Sequence, residues 1–124
     1  MLAASGARDE ARAESNDAAE REMITHVVLL RLKKDLSKNQ VDHVFAEIAA
    51  LRGRIPGILS FSSGPYSSPE GLHRGYTHGF TMTFADAAAR DAYLPHPEHE
   101  RVKEIVLGAL DGGLDGVIAF DYAS

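Results

Sequence analysis

The stretch Tyr93-Leu94-Pro95-His96-Pro97-Glu98-His99 brings a phenol, two imidazoles and a carboxylate into one short segment. Imidazole is the side chain whose charge changes near neutral pH, so it serves as general base, general acid or metal ligand. Pro97 suits the first position of a helix, which makes His96 a neighbour of the N-cap and puts His99 in the first turn. A helix N-terminus disfavours an imidazolium, so His99 is expected to stay neutral and able to take a proton. Tyr93 is the expected partner: it orients His99 or donates to a developing enolate oxygen. The competing reading of Tyr93 is a core aromatic with a satisfied hydroxyl. No metal site is assigned. His96 and His99 have Glu98 and Glu100 nearby, but zinc takes roughly three or four ligands in a fixed geometry, and a third is not evident. The chain has no cysteine, which excludes disulfides, thiolate metal sites and cysteine nucleophiles. Gly-rich phosphate loops and the G-x-S-x-G elbow are absent too.

Two more histidines sit in apolar stretches. "ITHVVLLRL" (24–32) and "YTHGFTMTF" (76–84) read as strands, the second by strict alternation. His26 and Val28 share one face of the first; His78, Phe80 and Met82 share one face of the other. Alone, each histidine reads as a neutral core residue with its hydrogen bonds satisfied. Together they read as the polar lining of a ligand cavity walled by Val28, Phe80 and Met82. Both readings stand at this level. His43 and His73 read as surface residues on a helix and a loop.

These side chains need elements to hold them. Ser37 and Gln40 have capping-box spacing and open a helix. Its apolar stripe is Val41, Val44, Phe45, Ile48 and Leu51, and Gly53 with Pro56-Gly57 ends it. "ILSFSSG" (58–64) is a second strand. Asp86 is a fair N-cap for a second helical region. Pro95 and Pro97 interrupt it, and it resumes with Val102, Ile105, Val106, Ala109 and Leu110. Gly112-Gly113 stops it, and "GVIAFDY" (116–122) is the last strand. The order β-α-β-β-α-β predicts a ferredoxin-like split βαβ fold, class α+β, with a four-stranded antiparallel sheet and both helices on one face. The first and third strands are then central neighbours, and His26 and His78 are expected to approach each other. Val27 and Leu29 point to the uncovered face, which predicts a homodimer with two sheets packed face to face.

Composition sets the outer bounds. The chain has 124 residues and a net charge of −5, which fits one domain. The basic residues form no run or stripe, so nucleic-acid binding is not expected, and the acidic balance argues against anionic membranes. No apolar run approaches the roughly 20 residues needed to span a bilayer. Residues 1–22 read as a flexible or loosely helical extension, too poor in large apolar side chains to offset the entropy of ordering; residues 23–124 are the folded domain. Lack of cysteine fits a reducing compartment, and a cytoplasmic location is expected.

"MITHVVLLRLKKDLSKNQ", "IPGI", "YLPHPEH" and "VIAFDY" together resemble the stress-responsive α/β-barrel (Dabb) family over residues 23–122. The resemblance implies a ferredoxin-like unit that pairs into a dimeric α+β barrel. "GYTHGFTMTF" and "AYLPHPEH" are most similar to the plant polyketide cyclases of that family. Those enzymes close a ring by aldol chemistry without a cofactor, and by motif position their Tyr and His correspond to Tyr93 and His99. The resemblance thus implies a homodimer that binds a small organic molecule between sheet and helices, with no cofactor, no nucleic acid and no membrane. Alternatives are a cyclase with His99 as base, a cofactor-independent monooxygenase, and a stress-associated protein without enzymatic activity.

Overall fold

The structure is a computed structural model that describes residues 22–124. The extension read at residues 1–22 therefore lies, except for Glu22, outside the described residues. Strand β1 (Ile24–Leu30) leads to helix α1 (Lys38–Ala50), strand β2 (Ile58–Pro65) and strand β3 (His78–Phe84). Two helices follow, α2 (Ala87–Tyr93) and α3 (Pro97–Ala109), and then strand β4 (Val117–Ala123). The four strands form one antiparallel sheet in the order β2-β3-β1-β4, the predicted split βαβ arrangement.

Local chemistry explains the element ends. The Ser37 hydroxyl accepts from the Gln40 backbone N–H at 3.1 Å, and the Gln40 side chain accepts from the Ser37 N–H at 2.7 Å. Asp86 caps α2 through the Ala89 N–H at 2.8 Å. His96 caps α3: its Nδ1 accepts from the Glu98 N–H at 3.1 Å, with Pro97 as the first helical residue. The second helical region is thus two helices, because Pro95 and Pro97 bring an end and a restart rather than a kink. β1 ends two residues earlier than expected. Leu32 lies past a break and makes only an isolated bridge to Leu110. β3 starts at His78 rather than Tyr76. Gly57 joins α1 to β2 with φ +95°, and a Cβ there would lie 2.7 Å from the Ala89 Cβ; this packing requires glycine.

The core lies between sheet and helices. Leu30, Leu51, Met82 and Phe84 are fully buried there. At the surface Glu47 and Glu98 alternate with Arg54 and Arg101, tying α1 and the segment after it to α3 at 2.8–3.9 Å. Exposed pairs of this kind contribute about 0–1 kcal/mol each. Among the described residues no helix covers the opposite sheet face. Leu29, Ile118, Phe120 and Tyr122 are exposed, and Val27 pairs with Phe120 and Leu29 with Ile118 across β1 and β4. Among the described residues no helix is long and apolar enough to cross a membrane.

Candidate functional site

The helix-side face of β1 carries Ile24, His26, Val28 and Leu30, all buried. Above His26 and Val28 a cavity of about 210 Å³ opens between the sheet and α3. Val28, Phe80, Val102, Val106, Leu107 and Leu110 build most of its apolar wall, and Ala119 of β4 and the Lys103 side chain also line it. The polar groups that line it besides Lys103 are His26, Tyr93 and His99.

These three side chains form one end of the cavity. The Tyr93 ring lies 4.2 Å from that of His99 and 6.1 Å from that of His26, centre to centre. Phe80 and Phe84 meet His26 edge-on at 6.1 and 6.0 Å. Each imidazole is anchored through Nδ1. His99 Nδ1 lies 2.8 Å from the Leu94 carbonyl oxygen, which can only accept, so Nδ1 carries the proton. His26 Nδ1 lies 2.5 Å from Asp121 Oδ1, and the second oxygen of Asp121 accepts from Arg90 at 3.0 Å. An ionised carboxylate satisfies both donors, which again places the proton on Nδ1. In the neutral form of either ring, Nε2 is then the nitrogen without a proton. The Tyr93 hydroxyl is 2% exposed at residue level and makes no hydrogen bond to another described residue. Buried hydroxyls normally find partners, because desolvation without one is costly.

Burial governs the titration of this group. It pushes His99 below the usual imidazole value, with the Lys103 charge acting in the same direction and the Leu94 hydrogen bond opposing. The expected direction holds, but desolvation rather than the helix end is the main cause. Tyr93 is pushed up by burial and by the negative charge of Asp121, so its hydroxyl stays protonated at all ordinary pH.

The sequence-derived residues divide. His26, Val28, Phe80, Tyr93 and His99 come together around the cavity. His78 does not join them, contrary to the expected approach to His26. It pairs with Leu30, four residues along β1 from His26, about 13 Å away at the strand rise. There it lies against Phe45 of α1, with the rings tilted and their centres 5.4 Å apart, and bonds the Thr77 hydroxyl. Met82 is opposite His26 in the register but fully buried beneath the wall. His43 and His73 are exposed as expected, although His73 stacks on Tyr66 at 3.7 Å. Asp121 and Arg90 were not foreseen. The one charge in the apolar run "VIAFDY" was a signal for Asp121, but its partner depends on strand register.

A split βαβ sheet with helices on one face, an apolar back that no described helix covers and a largely apolar cavity under the last helix defines the ferredoxin-like α/β-barrel class. The family model of the Stress responsive A/B Barrel Domain (Dabb) matches residues 24–124, and the chain belongs to this family. It is 34% identical over 99 residues to the stress-response A/B barrel domain-containing protein HS1 of Arabidopsis thaliana, covering 80% of this chain and 87% of that protein. Olivetolic acid cyclase of Cannabis sativa is 25% identical over 76 residues, covering 61% and 75%. A dimeric ferredoxin-like protein of unknown function from Jannaschia sp. CCS1 superposes with a TM-score of 0.74 at 30% identity, covering 82% of this chain and 99% of that one.

Proposed function

We propose that this chain is a homodimer, paired through the open sheet faces, that binds a small organic carbonyl compound in the cavity beneath α3. The observation that carries this reading is Tyr93, whose ring lies beside two imidazole rings and whose hydroxyl has no hydrogen-bond partner among the described residues, in an otherwise apolar cavity of about 210 Å³. A carbonyl oxygen accepts from that hydroxyl, and the apolar wall takes the hydrocarbon part. A carbon next to the carbonyl then faces the imidazoles, whose free Nε2 atoms can accept its proton. His99 and Tyr93 are the pair that the resemblance of the Tyr93–His99 stretch implies. Chemistry at the site is cofactor-free proton transfer, in which Tyr93 stabilises negative charge on the oxygen. The location we propose is the cytoplasm, in keeping with the cysteine-free composition.

Acetophenone is a suitable test ligand, with an apolar ring and one carbonyl. Titration calorimetry is expected to give saturable binding at one site per protomer. Tyr93→Phe should weaken it about tenfold, the effect of losing one buried hydrogen bond of roughly 1.4 kcal/mol. Ala119→Trp fills the cavity from an exposed lining position and should abolish binding. Titration without saturation, or binding that survives Ala119→Trp, would refute the reading.

A further inference from the structure

The two cavity imidazoles are not equivalent. Behind His99 Nδ1 stands a neutral backbone carbonyl. Behind His26 Nδ1 stands a carboxylate, and behind that carboxylate a guanidinium: Nδ1 to Asp121 at 2.5 Å and Asp121 to Arg90 at 3.0 Å. The chain crosses three elements, β1, β4 and α2. His26 is 8% exposed, and the side chains of Asp121 and Arg90 are 25% and 24% exposed. A buried imidazole that receives a proton on Nε2 becomes a cation. A carboxylate aligned on its Nδ1–H stabilises that cation and fixes the tautomer in advance. The backbone carbonyl of Leu94 fixes the tautomer of His99 but brings no charge.

We infer that His26 is the base of this site, and that Asp121 and Arg90 are positioning residues: Asp121 holds its Nδ1–H, and Arg90 holds Asp121. The inference rests on the proposed carbonyl-binding cavity and assigns its proton acceptor. The ionisable groups facing His26 are Asp121 from β4, Arg90 and Tyr93 from α2, and His99 from α3; its β3 neighbours Phe80, Met82 and Phe84 are uncharged. For a bound methyl ketone the step balances as follows. The C–H bond next to the carbonyl breaks and its proton goes to His26 Nε2. The electron pair forms the C–C double bond, and the enolate oxygen accepts from the Tyr93 hydroxyl. In D2O the imidazolium exchanges with solvent and returns a deuteron to the carbon.

The test uses two measurements on the full chain. Nitrogen-15 spectra of the imidazoles read the tautomer directly. His26 is expected as a single species with Nδ1 protonated and Nε2 free, and Asp121→Asn should convert it to a mixture or to the other tautomer. A protonated Nε2 in the unsubstituted protein, or spectra unchanged by Asp121→Asn, would overturn the positioning role. The second measurement is deuterium incorporation into the methyl group of acetophenone in D2O, followed by proton NMR. The unsubstituted protein should accelerate it. His26→Gln and Asp121→Asn should each remove about a hundredfold or more of the acceleration. Arg90→Ala should lower it and Arg90→Lys restore part, while His99→Gln should lower it by a much smaller factor than His26→Gln. Loss in His99→Gln with retention in His26→Gln overturns the assignment to His26 but leaves the proton-transfer reading intact. Bound acetophenone that the unsubstituted protein does not exchange overturns both.

Discussion

Tyr93, His26 and His99 show how environment gives side-chain types their role. Imidazole and phenol are ambiguous in a sequence. Here both rings are tied through Nδ1, and the phenol has no hydrogen-bond partner among the described residues in a largely apolar pocket. That burial makes stability depend on pH. Because burial lowers the pKa of His99, the folded state resists its protonation while the unfolded chain accepts a proton near the ordinary value of 6.5. The unfolded state therefore binds more protons below about pH 6.5, and stability must fall as pH drops through that range. His78 is also held low by burial and adds to the same trend. Thermal melts between pH 7.5 and 5 are expected to show a falling midpoint over roughly this window, and His99→Gln should flatten the slope. A slope identical in the variant would remove His99 from this account.

At the scale of elements, the capping signals worked because they are local. Ser37 with Gln40, and Asp86, cap the helices their spacing announced; Pro97 opens the third as read, and His96 is its cap rather than a neighbour of the cap. The helix around the two prolines was only half legible: its interruption could be read, but not that the two pieces form separate helices. Tyr93 closes the first piece and His99 lies in the first turn of the second, so the break itself puts the two rings 4.2 Å apart. The α1–β2 connection depends on Gly57, where the left-handed φ and the 2.7 Å approach to Ala89 Cβ act together. Gly57→Ala is expected to destabilise the fold by at least about 1 kcal/mol, seen as a lower urea midpoint with an unchanged slope. A stability equal to that of the unsubstituted chain would show that α2 yields there at no cost.

At the scale of the whole molecule, the sheet face that no described helix covers asks for a partner. Phe120 is 64% exposed beside Ile118, Leu29 and Tyr122, whereas Thr81, Thr83, Ser60 and Ser62 cover the β2–β3 half with hydroxyls. The apolar half is expected at the centre of the paired interface. Light scattering should give twice the protomer mass of 13.4 kDa, and Phe120→Asp should shift it to a single protomer, because it buries an unpaired charge in the dimer. A dimer that survives this substitution would place the contact elsewhere.

The sequence by itself determined the fold and its family, the caps, the helix-side face of each central strand and the apolar back of the sheet. These follow from periodicity and from residues close in the chain, whose relations survive without knowledge of the rest. Only the tertiary structure decided the membership of the site. Strand register set His78 about four residues from His26 and brought Asp121, 95 positions away in the chain, onto His26. The turn between α2 and α3 placed Tyr93 against His99. Register depends on the summed packing of a whole sheet, and no short stretch contains that information.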